Sequence, residues 1–358
     1  MPVSTCKNQA IISLSKIDFM KVIFKSLVTA VATMAMCNIT NAQNSGYHLL
    51  NTFKAAGDGG WDYVTVSQVT DKLYLSHGNQ VNIISKTTGA DIATIGSLEG
   101  VHGIALASQF GKGFISNGGS NTISVFNTAT NTITATIPGG KKPDAIIYDH
   151  FSKRVYVGNG KSHDLTIINP ANNHVEQTLD VDGKPEMIVS NDDGLLFLNL
   201  EDKNEVISIN ANTYFVEHRW RLGSGKEPTG LAIDKRTNRL FVGCGNGVMV
   251  VINAENGHIM KELPIGKGCD GVVFDPLSRM AFASCGDGTL SIIKENSPSE
   301  FTVLESVSTK KGARTIALDE KTHKVYLPTA DFNANSEKDK HGRPSPVPGS
   351  FQVLVMGK

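Results

Sequence analysis

An all-β, seven-bladed propeller of four-stranded blades is the fold that this 358-residue chain predicts. Three observations carry the prediction. First, a tetrad opening on an aromatic recurs seven times, as YLSH (Tyr74–His77), FISN (Phe114–Asn117), YVGN (Tyr156–Asn159), FLNL (Phe197–Leu200), FVGC (Phe241–Cys244), FASC (Phe282–Cys285) and YLPT (Tyr326–Thr329), at intervals of 40 to 44 residues. Second, each tetrad is flanked by short apolar runs separated by turn residues, with no helical 3.6-residue period. Third, a four-stranded unit of that length cannot cover both faces of its sheet alone, whereas a ring of such units buries each against its neighbours.

The elements follow in chain order. Residues 1–19 are expected to be an upstream extension, because Met20 opens a secretory leader over residues 20–42. Lys21 and Lys25 precede an apolar segment, Leu27–Met36, and a small-residue exit at Ala42. That apolar segment is too short for a membrane span, and no later stretch is long enough for one. Cys37 follows the bulky Met36, where a lipidation site needs a small residue. The mature chain, residues 43–358, is expected to be a single propeller domain, periplasmic or secreted, and a monomer.

Within each unit an inner strand comes first, as in YVTVS, GIALA, AIIYD, MIVSN, GLAID, GVVFD and TIALD. A turn residue follows, such as Asp149, Asp234, Asp275 or Asp319. The tetrad strand is second, then a β-branched third strand and a more polar fourth. The last third strand, Phe351–Met356, has no fourth after it. Tyr47–Phe53 at the mature N-terminus is expected to supply it and so close the ring.

The aromatic–apolar–small–Asn tetrad at this period is the YVTN-repeat signature, and the chain resembles the YncE-like family of exported bacterial propellers over residues 46–358. The resemblance implies the propeller fold and export, and it is weak for activity. Cys244 and Cys285 occupy the family's Asn position in blades 5 and 6. A WD40 reading fits poorly, with two tryptophans in the chain and no recurring Trp-Asp.

Hairpin register extends the reading to a site. Pairing Asp275 with Met280 sets Asp270 opposite Cys285, and likewise Asp62 opposite His77, His102 opposite Asn117, Asp144 opposite Asn159, Thr229 opposite Cys244 and Arg314 opposite Thr329. Glu186 faces roughly Asn199. Two rings of mostly polar residues are therefore expected around one mouth of the central channel. Asp62, His102, Asp144, Glu186, Asp270 and Arg314 are the candidate ligand-binding residues, since a concave site with a few convergent polar groups is where ligands bind. The plainer reading is that polar side chains at strand ends satisfy unpaired backbone groups. Asp62, His77 and His102 form a candidate metal trio of two histidines and a carboxylate, which would take a divalent cation. Arg314 suits a carboxylate or phosphate, or the neighbouring acids.

Three cysteines remain in the mature chain. In an oxidising compartment Cys269 could bridge Cys285, which register favours, or Cys244; the alternatives are small fillers in place of Asn and a soft-metal cluster.

Zero net charge and a pI near 7.1 remove the electrostatic argument for nucleic acid. The leading function is a non-catalytic binding or scaffold protein, taking a protein partner or small ligand at the channel mouth. The alternative is a lactonase- or lyase-type enzyme using a divalent cation there, and a minor one is a nucleic-acid or envelope-polymer binder. The long blade 7 loop, residues 330–350, reads as a flap or partner contact.

Overall fold

The computed structural model describes residues 44–333 and 344–358. The expected extension and leader lie outside the described residues, as does the centre of the blade 7 loop. Seven four-stranded antiparallel sheets make up the described chain. The inner strands of blades 1 to 7 are Trp61–Val66, Val101–Ala107, Pro143–Asp149, Pro185–Ser190, Pro228–Asp234, Cys269–Asp275 and Ala317–Asp319. Contacts between inner strands of successive blades form the wall of the channel.

The tetrads explain themselves in this setting. Their aromatics, Tyr74, Phe114, Tyr156, Phe197, Phe241, Phe282 and Tyr326, are all at most 1% exposed. Each lies on the second strand of its blade, where burying one such ring contributes about 1.5–3 kcal/mol. Repeating this seven times spaces one large hydrophobic plug per blade around the ring.

Closure is as the sequence predicts. His48–Lys54 pairs antiparallel with Gln352–Gly357 and becomes the outer strand of blade 7. Most of its side chains are exposed, so the ladder holds it together with two aromatic anchors. Phe53 packs where a Cβ on Gly89 of blade 1 would come within 2.4 Å of its ring. Tyr47 packs on Phe282 of blade 6 at 4.7 Å and donates to the carbonyl of His323 at 2.8 Å. The closing strand thus grips the blades on both sides of its own.

The hairpin register departs from expectation at one point, and the departure recurs. At the turn end it is as predicted, with Asp275 opposite Met280 and Asp234 opposite Arg239. At the other end of six inner strands a β-bulge intervenes. Trp61, not Asp62, pairs with His77; Val101, not His102, with Asn117; Pro143, not Asp144, with Asn159; Pro228, not Thr229, with Cys244; and Cys269, not Asp270, with Cys285. In blade 4 Pro185 pairs with Leu200, and Glu186 is at the bulge. A bulge inserts one unpaired residue and re-aims its side chain. Here the apolar residue packs over the end of the second strand, and the polar one is released toward the channel.

The expected outer ring is consequently not a ring of channel residues. His77, Asn117, Asn159, Cys244, Cys285 and Thr329 are at most 1% exposed. Asn117 donates to Thr122 at 3.2 Å and Ser124 at 2.9 Å, and Asn159 to Asp164 at 2.6 Å and Thr166 at 2.9 Å. The Asn position therefore ties the second strand to the third inside its own blade.

The cysteines correct a second expectation, because Cys244, Cys269 and Cys285 are all free, buried thiols. Cys269 and Cys285 face each other as a cross-strand pair, their thiols donating to the carbonyls of Gly271 and Ala283 at 3.7 and 3.6 Å, and the adjoining Cys285 together with burial holds the Cys269 thiol well above its ordinary pKa. Burial and the charge of Glu262 push the Cys244 thiol up to about 12.

Candidate ligand site at the channel mouth

The bulges deliver one side chain per blade: Asp62, His102, Asp144, Glu186, Thr229 and Asp270 from blades 1 to 6. In blade 7, where the regular inner strand begins only at Ala317, Arg314 completes the circle. Glycine or another small residue follows the released side chain in several blades. A Cβ on Gly103 would meet Ile146 Cγ2 at 2.7 Å, and one on Gly271 would meet the backbone nitrogen of Ile316 at 3.0 Å. The glycines permit the next blade to approach, and that approach brings the ring residues within reach of each other.

Five of the seven form one chain of contacts. Arg314 Nε donates to Asp270 Oδ2 at 2.6 Å, and its Nη2 donates to the carbonyl of Trp61 at 3.0 Å and to Asp62 Oδ1 at 3.4 Å. His102 Nδ1 donates to Asp62 Oδ2 at 2.6 Å and stands 3.5 Å from Asp144 Oδ1. Lys142 Nζ lies 3.5 Å from Asp144 Oδ2. Next in the ring, Glu186 stands 2.8 Å from Lys184, which also contacts Glu201. Thr229 turns away and donates to the carbonyl of Cys269.

Burial sets the electrostatics. Burial raises the Asp62 pKa, but the hydrogen bond from His102 and the charge of Arg314 outweigh it and hold the carboxyl low. Burial lowers that of His102, but its bond to Asp62 and the charges of both aspartates raise it on balance. For Asp144 burial dominates over the attraction of His102, and the carboxyl is raised. Glu186 is pushed well above its ordinary value by burial and then by the charge of Asp144. The mouth therefore holds carboxyls of unequal acidity within one opening.

Sequence reasoning missed three contributors. Tyr63 follows the released Asp62 and packs against the hydrophobic cluster of blades 3 and 4, across the channel from its own strand. Burial and the charges of Asp144, Glu186, Asp62 and Asp270 all disfavour ionising its phenol. Lys142 and Lys184, two residues ahead of Asp144 and Glu186, supply the opposite charge. The GKKPD and GKPE strings ahead of the two acids carry that signal in the sequence.

Of the expected metal trio, the structure brings Asp62 and His102 together and leaves His77 out. His77 is buried, its Nδ1 is 3.3 Å from Asn82 Oδ1, and its ring packs on Phe351 at 4.0 Å. Asp144 takes the third place, its carboxylate lying within 4.8 Å of the ligand atoms of Asp62 and His102. The two tryptophans are not open stacking platforms. Trp61 is 7% exposed beside Phe332 and Phe351, and Trp220 stacks on Phe197 and His218. Phe332 also bridges to Pro346, and Gly349 donates to Asp58 at 2.8 Å, so the base of the blade 7 loop rests on blade 1 beside the mouth.

A second recess, about 360 Å³, lies at the turn end between blades 6 and 7. Its Asp275 already accepts from Leu277, Ser278 and His323, which marks it as the seam of the closing strand.

Fold and site together define a seven-bladed propeller with an ion-paired ring at one channel mouth. More particularly, the resemblance read from the tetrads recurs in the comparison with known families, where the sequence model described as a YncE-like β-propeller matches residues 90–255. The chain matches no curated protein. Among solved structures it is similar to the WD40 repeats of RRP9, with a TM-score of 0.70 and 8% identity over 87% of this chain and 97% of that one. It is likewise similar to U3-55K, with a TM-score of 0.69 and 8% identity over 86% of this chain and 98% of that one. At 8% identity these likenesses carry the fold alone. Among the described residues no helix is long and apolar enough to cross a membrane.

Proposed function

We propose that this protein is an exported, non-catalytic binding or scaffold propeller that takes a small ligand or a protein partner on its channel-mouth face. One observation carries the reading: five blades contribute to a continuous, largely buried ion-paired chain at a single opening. Buried ion pairs stabilise folds poorly, because desolvation offsets their attraction. A fold already held by seven hydrophobic blade interfaces gains little from such a ring, whereas a recognition site gains a fixed pattern of charge. The leader over residues 20–42 supports export to the periplasm, and the anchored base of the blade 7 loop supplies a second contact surface next to the mouth.

The Asp62–His102–Asp144 grouping favours one second reading, a lactonase- or lyase-type enzyme working with a divalent cation at the same mouth. Native mass spectrometry of the processed chain, beside a His102→Ala/Asp144→Ala variant, tests the binding reading. A bound small molecule or partner that is lost from the variant while its melting temperature is kept supports the mouth as the site. A bound species retained by the variant places recognition elsewhere and overturns it.

A further inference from the structure

The carboxylates flanking His102 each divide their two oxygens between different partners. Asp62 gives Oδ1 to Arg314 and turns Oδ2 to His102 Nδ1. Asp144 gives Oδ2 to Lys142 and turns Oδ1 to the same Nδ1. One ring nitrogen thus faces two carboxylate oxygens, at 2.6 and 3.5 Å, and it can carry one proton at most. That proton serves Asp62. Asp144, only 5% exposed, lies more than nine-tenths buried, and its carboxylate is held by long contacts alone, Lys142 Nζ and His102 Nδ1 each at 3.5 Å. Contacts of that length compensate a buried carboxylate poorly, and its persistence at a cleft calls for an explanation.

The ring of His102 is also fixed in orientation. A Cβ on Gly118 would come within 2.7 Å of His102 Cδ2 and Nε2. Glycine there lets the imidazole seat with Nε2 toward blade 2 and Nδ1 toward the two acids. A nitrogen and two carboxylate oxygens, each steered from outside by a second partner, is the donor set of a three-ligand divalent site with room for solvent or ligand.

We infer that Asp62 Oδ2, His102 Nδ1 and Asp144 Oδ1 hold a divalent cation of the zinc or manganese class at the channel mouth. The inference rests on the mouth being the binding site and names what binds there. A cation replaces the single proton between three donors and satisfies all of them at once. Arg314 and Lys142 are positioning residues, because each occupies the oxygen that the cation does not use.

Calorimetric titration of the full chain with Zn(II), repeated with Mn(II), is the test. One saturable site is expected. His102→Gln and Asp144→Asn should each weaken it by about tenfold or more. Glu186→Gln removes an acid of the same mouth, one blade beyond the trio, and should weaken it by less than about threefold, a screened long-range effect. An equal loss from Glu186→Gln would mean a diffuse acidic field and overturn the site, as would the lack of saturable binding to the wild-type chain. Long-range proton–nitrogen NMR of the wild-type chain needs no variant to fold. His102 Nδ1 should shift on adding Zn(II), and shifts confined to His163 or His174 would assign the zinc to surface histidines. If mass spectrometry finds a ligand lost with the mouth variants while Zn(II) and Mn(II) do not bind, the cation falls and the binding reading stands.

Discussion

Acidic residues gather at both ends of the set of inner strands, and the two ends use them differently. At the turn end Asp149, Asp234, Asp275 and Asp319 are at most 2% exposed and accept bonds from the turns they open. Asp149 accepts from the backbone and hydroxyl of Ser152, Asp234 from Arg236 and Thr237, Asp275 from Leu277 and Ser278, and Asp319 from Lys321 and Thr322. Those partners are two or three residues away in sequence, and a single contact from a neighbouring blade joins them at Asp149 (Ser190), Asp275 (His323) and Asp319 (Lys86). At the mouth, Asp62 meets His102 and Arg314, and Asp270 meets Arg314, all in neighbouring blades. An acid satisfied within its own turn shapes that turn. An acid whose partners must arrive from other blades reports on the assembled ring, and it is there that chemistry can differ between proteins sharing the fold.

Arg314 should produce the largest effect. Arg314→Met strips Asp62 and Asp270 of their shared counter-charge, and urea unfolding at pH 7 should show a loss of about 3 kcal/mol. The loss should shrink as the pH falls and the two carboxyls take up protons. A change as small as that of a surface ion pair would show the ring to be solvated, and would erase the distinction drawn between the two ends.

Asp319→Ala probes the turn end. Asp319 accepts from Lys321 at 3.2 Å and Thr322 at 3.0 Å and pairs with Lys86 at 3.1 Å. The expected cost is about 2 kcal/mol, with no effect on whatever the mouth binds. Burial raises its pKa, but Lys86 and the turn donors outweigh this and leave it lowered. Its stabilisation is therefore complete above the ordinary carboxyl range and disappears as the pH falls through the lowered value, so wild type and variant should converge in acid. Altered binding in this variant would break the comparison.

Glu186→Gln should act with the opposite sign. The raised pKa means that the folded chain holds this proton more tightly than the unfolded chain, so stability falls as the pH rises out of the ordinary carboxyl range. Denaturant melts should show the variant gaining on the order of 1 kcal/mol at pH 8 and little at pH 4. The smallest effect is expected of the buried thiols beneath the mouth. Folded protein at pH 8 should leave Cys244, Cys269 and Cys285 unreactive, and the denatured, unreduced mature chain should titrate three thiols. A single reactive thiol would mean that the cross-strand pair is oxidised.

The fold was legible because its signal is repeated. Seven aromatics at near-constant spacing outweigh any one ambiguous strand, and an unmatched Phe351–Met356 called for a partner at the other end of the chain. The ring residues were legible as residue types at strand ends, while their register was not. An antiparallel count assumes one residue opposite one, and a bulge breaks that count without changing the polarity pattern around it. The small residue after the released side chain, as in His102-Gly103, Thr229-Gly230 and Asp270-Gly271, was the available sign. Tyr63 and the His77 misplacement had no such sign, since both depend on which blade stands across the channel or beneath the loop.

The closing strand also imposes an order of events. His48 pairs with Gly357, so the first strand made is the last that can dock. Until the final residues emerge, blade 7 exposes an open edge and the pocket for Phe53 stands empty. Contacts between chain ends so distant in sequence form slowly. The clasp is split between two segments far apart in the described chain, so neither half of it can form without the other.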